Sequence, residues 1–224
     1  MAKPIIAWSF SAVDMFENCP RKFWAVRIGK VVGDANQYNA AGQEDHKAFE
    51  AYLKGGVPLP NQYIQHQPLL DRFKQLPGER YVEYRMALDQ NMVPCSPTAW
   101  NSAWVRANTD LTIVNGSEAL TVDWKSGSAR YPKEMQMEIA ALLLFAHFPN
   151  VQRVKALFVY HNENAVKDYA YERAVMPQLW QPLLTVVKKM EHAVTSEQWP
   201  ATPNKLCSYC PYAACPHNTN PDVK

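Results

Sequence analysis

The sequence predicts an α/β sandwich in which helices flank a mixed central sheet. Segments with the apolar spacing of helices come first, and a run of short segments with alternating apolar residues follows. A helix, a strand and a last helix complete the order, which is typical of this class. The chain has 224 residues and no internal repeat or low-complexity tract, so we expect a single domain over 1–224.

Three helices are predicted before the first strand, over residues 8–29, 39–54 and 64–75. Ser11 and Asp14 have the spacing of a capping box near the start of the first helix. Pro20 predicts a break or kink in its middle, because proline removes a helical hydrogen bond. The second helix should end at the glycine pair Gly55-Gly56.

A turn signal at Pro77-Gly78 precedes the first predicted strand, and the helix predicted over 131–148 is strongly apolar. The elements predicted there are strands over 80–88, 103–106, 110–114 and 119–125, a helix over 131–148, a strand over 153–160 and a helix over 176–194. From Trp199 the chain is rich in proline and cysteine and has no periodicity. We therefore divide the domain into a helical part (1–79), a core (80–198) and a cysteine-rich tail (199–224) that packs with Cys19.

Composition places few limits on function. Hydrophobic residues make up 47% of the chain, which is enough for a sizeable core, and the net charge of +2 neither requires nor excludes a nucleic-acid partner. No run reaches the roughly 20 apolar residues of a membrane span, and no signal peptide is evident. We expect a cytoplasmic protein with no membrane partner, in which clustered cysteines bind metal more often than they form disulfides.

The most informative segment is a predicted hairpin around Asn115-Gly116, a dipeptide typical of tight turns. A two-residue loop would set Asp110 opposite Thr121, and a four-residue loop would set it opposite Asp123. In either register Asp110, Asp123 and Lys125 share one face of the sheet, because side chains alternate with period two. An odd-length loop would separate them.

Two carboxylates on one face can bind a divalent cation, and Lys125 points into the same space. Mg²⁺ or Mn²⁺ there would polarise a phosphodiester, and Lys125 could position a water molecule or stabilise charge on the phosphate. An isolated Asp-x-Lys is more often an exposed polar face. Here Val122 and Trp124 flank it as core residues, and Ser126-Gly127 ends the strand at once, which favours a site.

With its neighbours, this segment resembles the PD-(D/E)XK nuclease superfamily, in particular its RecB-like branch. The resemblance rests on Asp110 and on Val-Asp-Trp-Lys-Ser-Gly at 122–127, and extends over residues 8 to 217. Gln136 resembles that branch's post-catalytic glutamine, and Gly42 with His46 resembles its upstream helical motif. Glu83 lies where the family often has a strand glutamate.

The resemblance implies a restriction-endonuclease-like core and a role for each matched residue. His46, Asp110 and Asp123 would bind the metal, Lys125 and Glu83 would be catalytic, and Gln136 would orient Lys125 or the phosphate. By spacing alone, His46 is more simply a helix residue without such a role. The sequence departs from the family at Ala140, where tyrosine is frequent, and at Asn108, where glycine is frequent.

The tail contains Cys207, Cys210 and Cys215, which need a fourth ligand to bind a metal. His217 would complete a zinc site, and Cys19 would complete a four-cysteine iron–sulfur site; spacing does not decide between them. A distant Cys-Pro with a C-terminal triplet is similar to the iron–sulfur staple of AddB-type nucleases and CRISPR-associated spacer-acquisition exonucleases. The resemblance therefore implies a 4Fe–4S cluster on all four cysteines. We interpret Cys95 as a free thiol.

Arg21, Lys22 and Arg27 surround aromatic residues after Cys19, a pattern that suits single-stranded nucleic acid and equally an ordinary amphipathic helix. The function we expect is a metal-dependent DNA exonuclease acting on single strands or duplex ends. By analogy, it would serve phage or mobile-element recombination or spacer acquisition, with a partner protein of that pathway and in a bacterial host cell if phage-encoded. The alternative is a non-catalytic, zinc- or cluster-stapled module that binds DNA or a partner on a nuclease scaffold.

Overall fold

The computed structural model describes residues 7–31, 38–99 and 101–223, and the side chains of all these except 38–43. The predicted glycine motif at Gly42 lies outside the described side chains. The described residues form one five-stranded sheet, whose strands are β1 (Glu79–Leu88), β2 (Val105–Asn115), β3 (Glu118–Lys125), β4 (Arg153–Tyr160) and β5 (Ala165–Glu172).

Helices surround this sheet. They are α1 (Phe10–Asn18), α2 (Pro20–Phe23), α3 (Tyr38–Lys54), α4 (Gln67–Gln75), α5 (Glu134–His147) and α6 (Met176–Ser196). Shorter helical turns are a π-helical turn at Trp24–Ile28 and 3₁₀ turns at Asn61–His66, Arg173–Val175, Lys205–Tyr209 and Pro221–Val223. Among the described residues, no helix combines the length and the apolarity needed to cross a bilayer.

The sheet is mixed, as the sequence predicts. Its strands lie in chain order, and only the β3–β4 pair is parallel. That pair is parallel because α5 crosses over between the two strands, whereas short connections make the β2–β3 and β4–β5 pairs antiparallel. The antiparallel β1–β2 pair is joined by a longer loop over residues 89–104. The α/β fold class with helices flanking a central sheet is thereby confirmed.

The core is divided into two clusters of buried side chains. The larger cluster packs α1, α5 and α6 against the sheet, and Phe145 and Phe158 are fully buried in it. The smaller cluster packs α3 and α4 against the sheet around Phe49 and Trp124. Residues of β2 and β3 contribute to both clusters, so helices cover both faces of the hairpin that contains the acidic residues.

Strands β1 and β2 change the direction of their side chains part-way along. Tyr84 and Met86 pack with the larger cluster, but Val82 packs with the smaller one although it is also even-numbered. On β2, Ala107 belongs to the larger cluster and Leu111, also odd-numbered, to the smaller one. A regular strand would keep these pairs on one face, so the pleat is interrupted between them.

The structure corrects several element predictions. The first helix does break, because Cys19 is extended (φ −166°) between α1 and α2, but the Ser11–Asp14 capping box is wrong: α1 begins at Phe10 with Ser9 as its N-cap. Strand β2 is continuous over 105–115, where two strands were expected. Strand β5 was not predicted, since most of its side chains are exposed.

Candidate active site

The acidic hairpin opens where its two aspartates face each other. Asn115 pairs with Glu118 around a turn in which Gly116 has a positive φ of 60°, and Leu111 pairs with Val122. Continuing this count sets Asp110 opposite Asp123, which is the second of the two predicted registers. The pairing ends before them, so β2 and β3 separate at the two carboxylates.

Asp110 joins the separated strands through its side chain. Its Oδ2 accepts a hydrogen bond of 2.7 Å from the backbone N–H of Trp124, and its Oδ1 lies 3.2 Å from Nδ1 of His46. His46 extends from α3, and its Nε2 lies 2.9 Å from the carbonyl oxygen of Trp124. Two side chains, from β2 and from α3, therefore converge on the backbone of one residue of β3 and also contact each other.

These contacts fix the chemistry of the imidazole. A carbonyl oxygen only accepts, so Nε2 of His46 must carry a hydrogen, and Nδ1 then faces the Asp110 carboxylate. Burial acts to lower the pKa of His46, but Asp110, Asp123 and the Trp124 carbonyl together outweigh it and raise that pKa. A proton or a cation between Nδ1 and Oδ1 satisfies both atoms, and a ligating histidine commonly donates its other N–H to a carbonyl in this way.

Glu83 completes a group of candidate ligands. It lies opposite Asp110 on β1, and its φ of 55° is unusual for a residue other than glycine. Among the described residues, one group of three could hold a metal ion: ligand atoms of His46, Glu83 and Asp110 all lie within 4.8 Å of one another. We call it the ligand triad. Two carboxylates and an imidazole fit a divalent cation.

Asp123, Lys125 and Gln136 form a second group on the α5 side. Nζ of Lys125 lies 2.7 Å from Oδ2 of Asp123 and donates a hydrogen bond of 3.0 Å to Oε1 of Gln136. The amide nitrogen of Gln136 donates in turn to Oδ1 of Asp123. Each member contacts the other two, so we call them the lysine triangle.

The carboxyl groups of Asp123 and Glu83 both hold protons more tightly than they would in water, so the pKa of each is raised. Burial raises the pKa of Asp123 to about 6, against the opposing charge of Lys125 and with the help of Asp110. Burial likewise raises the pKa of Glu83, although the hydrogen bond from Asn108 acts in the opposite direction. A bound cation would offset this cost of concentrating negative charge.

The predicted metal set and the observed grouping differ in one residue. His46 and Asp110 lie in the ligand triad as expected, but its third member is Glu83, which was expected to be catalytic. Asp123, expected as a ligand, instead contacts Lys125 and Gln136. All six residues nevertheless lie around the same opening in the sheet.

Two supporting contacts were not foreseen. Asn108 donates a hydrogen bond of 2.7 Å to Oε2 of Glu83. Asn108 lies close to Glu83 across the β1–β2 pair, so the strand pairing could have suggested this contact. Asp45 lies 3.2 Å from Nε2 of the buried His161, which directly follows β4. Asp45 is on α3, the helix that also carries His46, so this contact attaches that helix to the sheet. No local pattern signals that second contact, because its partners are more than 100 residues apart.

Comparison with known proteins agrees with this geometry. A model of the PD-(D/E)XK nuclease superfamily matches residues 7–216, which is nearly the whole chain. The chain belongs to this superfamily. Membership implies a metal-dependent nuclease, with DNA as substrate.

The chain is similar to the crystal structure of SSO0001, at 14% sequence identity and a TM-score of 0.49, over 97% of this chain and 89% of that chain. No curated protein matches it in sequence.

A cavity of about 480 Å³ adjoins the nuclease site. Asp123 and Gln136 of the lysine triangle line it together with Arg85, Arg106 and the small side chain of Ala140. We call it the site cavity. Ala140 occupies the position at which the sequence departs from the family's frequent tyrosine, so the departure leaves space beside the triangle.

A second cavity, of about 260 Å³, is lined by all four cysteines of the predicted cluster, Cys19, Cys207, Cys210 and Cys215. We call it the cysteine cavity. His217, the alternative zinc ligand, lines it too. None of the five cysteines forms a disulfide, and Cys95 does not line this cavity.

The residues predicted to bind nucleic acid lie near the cysteine cavity. Arg21 and Lys22 line it, and neither lines the site cavity. Nη2 of Arg27 lies 3.4 Å from Oγ of Ser11, and Ser11 lines both cavities. The structure thus brings Arg21 and Lys22 beside the thiols.

Proposed function

We propose that this superfamily member is a DNA exonuclease of the RecB-like branch. The observation that carries the proposal is the ligand triad lying directly across the opened hairpin from the lysine triangle. A metal position, a buried carboxylate and a held lysine within one opening are the parts that phosphodiester hydrolysis needs. Nothing in the sequence favours the non-catalytic alternative, because every acidic and lysine position is filled.

His46, Glu83 and Asp110 would hold Mg²⁺ or Mn²⁺, and Asp123 is placed to join them once its contacts adjust. When bound, the cation supplies polarisation of the phosphate and a lower pKa for a water molecule. The His46 imidazole is already oriented for this task, because its Nε2–H is engaged by the Trp124 carbonyl and its Nδ1 faces Asp110.

Lys125 is the residue we propose to act on the reacting groups. Its side chain is one-third exposed, so its ammonium can reach substrate while Asp123 and Gln136 hold it in place. From there it would orient the attacking water or stabilise charge that develops on the phosphate. Gln136 is a positioning residue, since it contacts both other members of the lysine triangle.

An iron–sulfur cluster is the second part of the proposal. All four cysteines line the cysteine cavity, and backbone N–H groups of Thr202 and Asn204 lie 3.4 Å from the sulfurs of Cys19 and Cys207. Hydrogen bonds to sulfur are a feature of cluster sites.

The role of the cluster would be structural. It would join the N-terminal segment to the tail, as in the nucleases that the cysteine pattern resembles. By the same resemblance, the enzyme would act in phage or mobile-element recombination or in spacer acquisition, beside a partner protein of that pathway.

The nuclease proposal is tested with one oligonucleotide in two forms, a linear end-labelled single strand and its covalently closed circle. We expect the linear strand to be degraded with Mn²⁺ or Mg²⁺, the circle to survive, and EDTA to stop the reaction. The Asp110→Asn variant, purified identically, controls for contaminating nucleases. Equal cleavage of circle and linear strand would disprove exonuclease action, and no cleavage of either, or of a duplex, would disprove the nuclease assignment.

A further inference from the structure

Two cationic side chains line the site cavity. Arg85 on β1 and Arg106 on β2 both line it, and in this sheet they lie on neighbouring strands, paired with Asn108 and Ala87. Among its described lining residues the only carboxylate is that of Asp123, whose charge Lys125 already faces at 2.7 Å. The cavity therefore attracts anions.

Arg85 is available for an external partner. It is exposed, and its side chain forms no hydrogen bond or ion pair with any residue of the described ranges. A guanidinium group offers several N–H donors in a plane that matches the oxygens of a phosphate. Most exposed arginines are simply solvated, but this one borders a cavity shared with Asp123 and Gln136.

The start of α1 adds further donors to the same cavity. Ser9, Phe10 and Ser11 line it, and the first turn of this nine-residue helix contains no acidic residue and no side-chain cap. The amides of Ala12 and Val13 bond to Ser9, whereas those of Phe10 and Ser11 donate to no residue that the structure describes. Free N–H groups at a helix start add to the attraction for a phosphate.

We propose that Arg85 and Arg106, with the start of α1, form a subsite for a phosphate of the DNA strand next to the phosphate that is cleaved. The inference rests on the proposed nuclease function, because the strand reaches this subsite from the lysine triangle. Asp123 and Gln136 border both places, so one continuous backbone occupies them. A cavity of about 480 Å³ is large enough to hold a phosphate group of the strand.

The subsite gives the arginines a role in substrate affinity and not in the chemical step. A contact made equally with bound substrate and transition state lowers KM and leaves kcat unchanged. Phosphate contacts also release counterions, so each one on a single strand contributes about 0.7 to the slope of log affinity against log salt concentration. These two quantities separate a phosphate contact from a structural role.

The test measures binding of a fluorescein-labelled single-stranded oligonucleotide in EDTA by anisotropy at several salt concentrations, and cleavage of the same strand with Mn²⁺. Arg85→Ala should weaken binding about tenfold at low salt, reduce the salt slope by about 0.7 and raise KM with little change in kcat. Arg72→Ala is the matched control, because Arg72 is also an exposed arginine and lies on α4 outside the cavity.

A second variant tests the cavity itself. Ala140→Phe keeps both arginines but places a ring in the site cavity, and should also weaken binding of the single strand. Arg85→Ala that matches Arg72→Ala in affinity and salt slope would overturn the subsite, as would tight binding by Ala140→Phe. If no protein cleaves but Arg85→Ala still weakens binding and lowers the salt slope, the nuclease function fails and only a phosphate-binding site remains. If wild-type protein cleaves and Arg85→Ala is normal, only the subsite fails.

Discussion

At the scale of single residues, the backbone of Trp124 connects the parts of the site. Its N–H bonds to Asp110 and its carbonyl to His46, while its neighbours along β3 are Asp123 and Lys125. The indole is almost fully buried against Phe49 and Phe73. Because packing fixes this residue, the ligand triad and the lysine triangle keep a fixed relation to each other.

Lys125→Ala should abolish cleavage and leave the protein folded. The ammonium is the group placed to act on the reacting atoms, and the alanine also removes the charge that opposes the rise in the pKa of Asp123. Asp123 would then bind a proton at higher pH, which weakens any part it has in metal binding. The assay is cleavage of labelled single strands, with circular dichroism to check folding.

The control for this prediction is Lys155→Ala. Lys155 is more exposed, lies on β4 and is 3.9 Å from Asp168, far from substrate in the proposed mode, so its loss should not change the rate. Cleavage by Lys125→Ala at close to the wild-type rate would show that the lysine role is wrong.

At the scale of elements, the interrupted pleat of β1 and β2 creates the site, and it marks the limit of prediction from sequence. Periodicity located the α-helices of the described residues and most of their strands, but strict alternation contains no signal for the change of face at Glu83. Sequence 107–109 lacks apolar alternation and was excluded from β2, yet Ala107 and Asn108 pair with β1 in the structure. Strand β5 was not predicted because it is an edge strand that pairs only with β4 and leaves side chains such as those of Lys167 and Asp168 exposed.

Two replacements of Glu83 should separate the backbone strain at this position from the contribution of its carboxylate to metal binding. Because φ is 55° at this position, alanine keeps a conformational strain of about 1–2 kcal/mol in the folded state, which glycine does not have. We therefore expect Glu83→Gly to be more stable than Glu83→Ala by about 1 kcal/mol, although glycine within a strand normally lowers stability by about 0.5–1 kcal/mol relative to alanine. Both variants lose the carboxylate of the ligand triad and should bind Mn²⁺ more weakly.

Urea unfolding gives the free energies for this comparison, and titration calorimetry with Mn²⁺ gives the affinities. Both variants lose the hydrogen bond from Asn108, so that bond cancels in the difference between them. A Glu83→Ala protein more stable than Glu83→Gly would mean that the strand relaxes to ordinary geometry when the glutamate is removed.

At the scale of the whole molecule, the tail is attached to the N-terminal segment by contacts that local sequence cannot show. Asn204 donates a hydrogen bond of 3.1 Å to the carbonyl of Asn18, and the amide of Arg21 donates one of 3.2 Å to the carbonyl of Pro200. The cysteine pattern predicted this junction only because it resembles a family staple. The Asp45–His161 contact had no such precedent, since it depends on how α3 packs on the sheet.

The last prediction concerns the four cysteines, with Cys19→Ser compared with Cys95→Ser. Cys19 lines the cysteine cavity and Cys95 does not, so only the first change should remove the cluster. Anaerobically purified wild-type and Cys95→Ser proteins should be brown and contain iron, and Cys19→Ser should be colourless. A cluster closes the long loop from residue 19 to residue 207, and closure of such a loop restricts the unfolded chain by about 5 kcal/mol in the chain-entropy model.

Cys19→Ser should therefore also unfold at a clearly lower temperature than Cys95→Ser, in anaerobic calorimetry of both. Zinc on Cys207, Cys210, Cys215 and His217 predicts the opposite, because those ligands all lie in the tail and close only a short loop. In that case wild-type protein would be colourless and contain zinc, and Cys19→Ser would keep both its metal and most of its stability. Metal analysis and melting temperature together decide whether the tail is joined to the N-terminal segment through the cluster or only through hydrogen bonds such as that of Asn204 with Asn18.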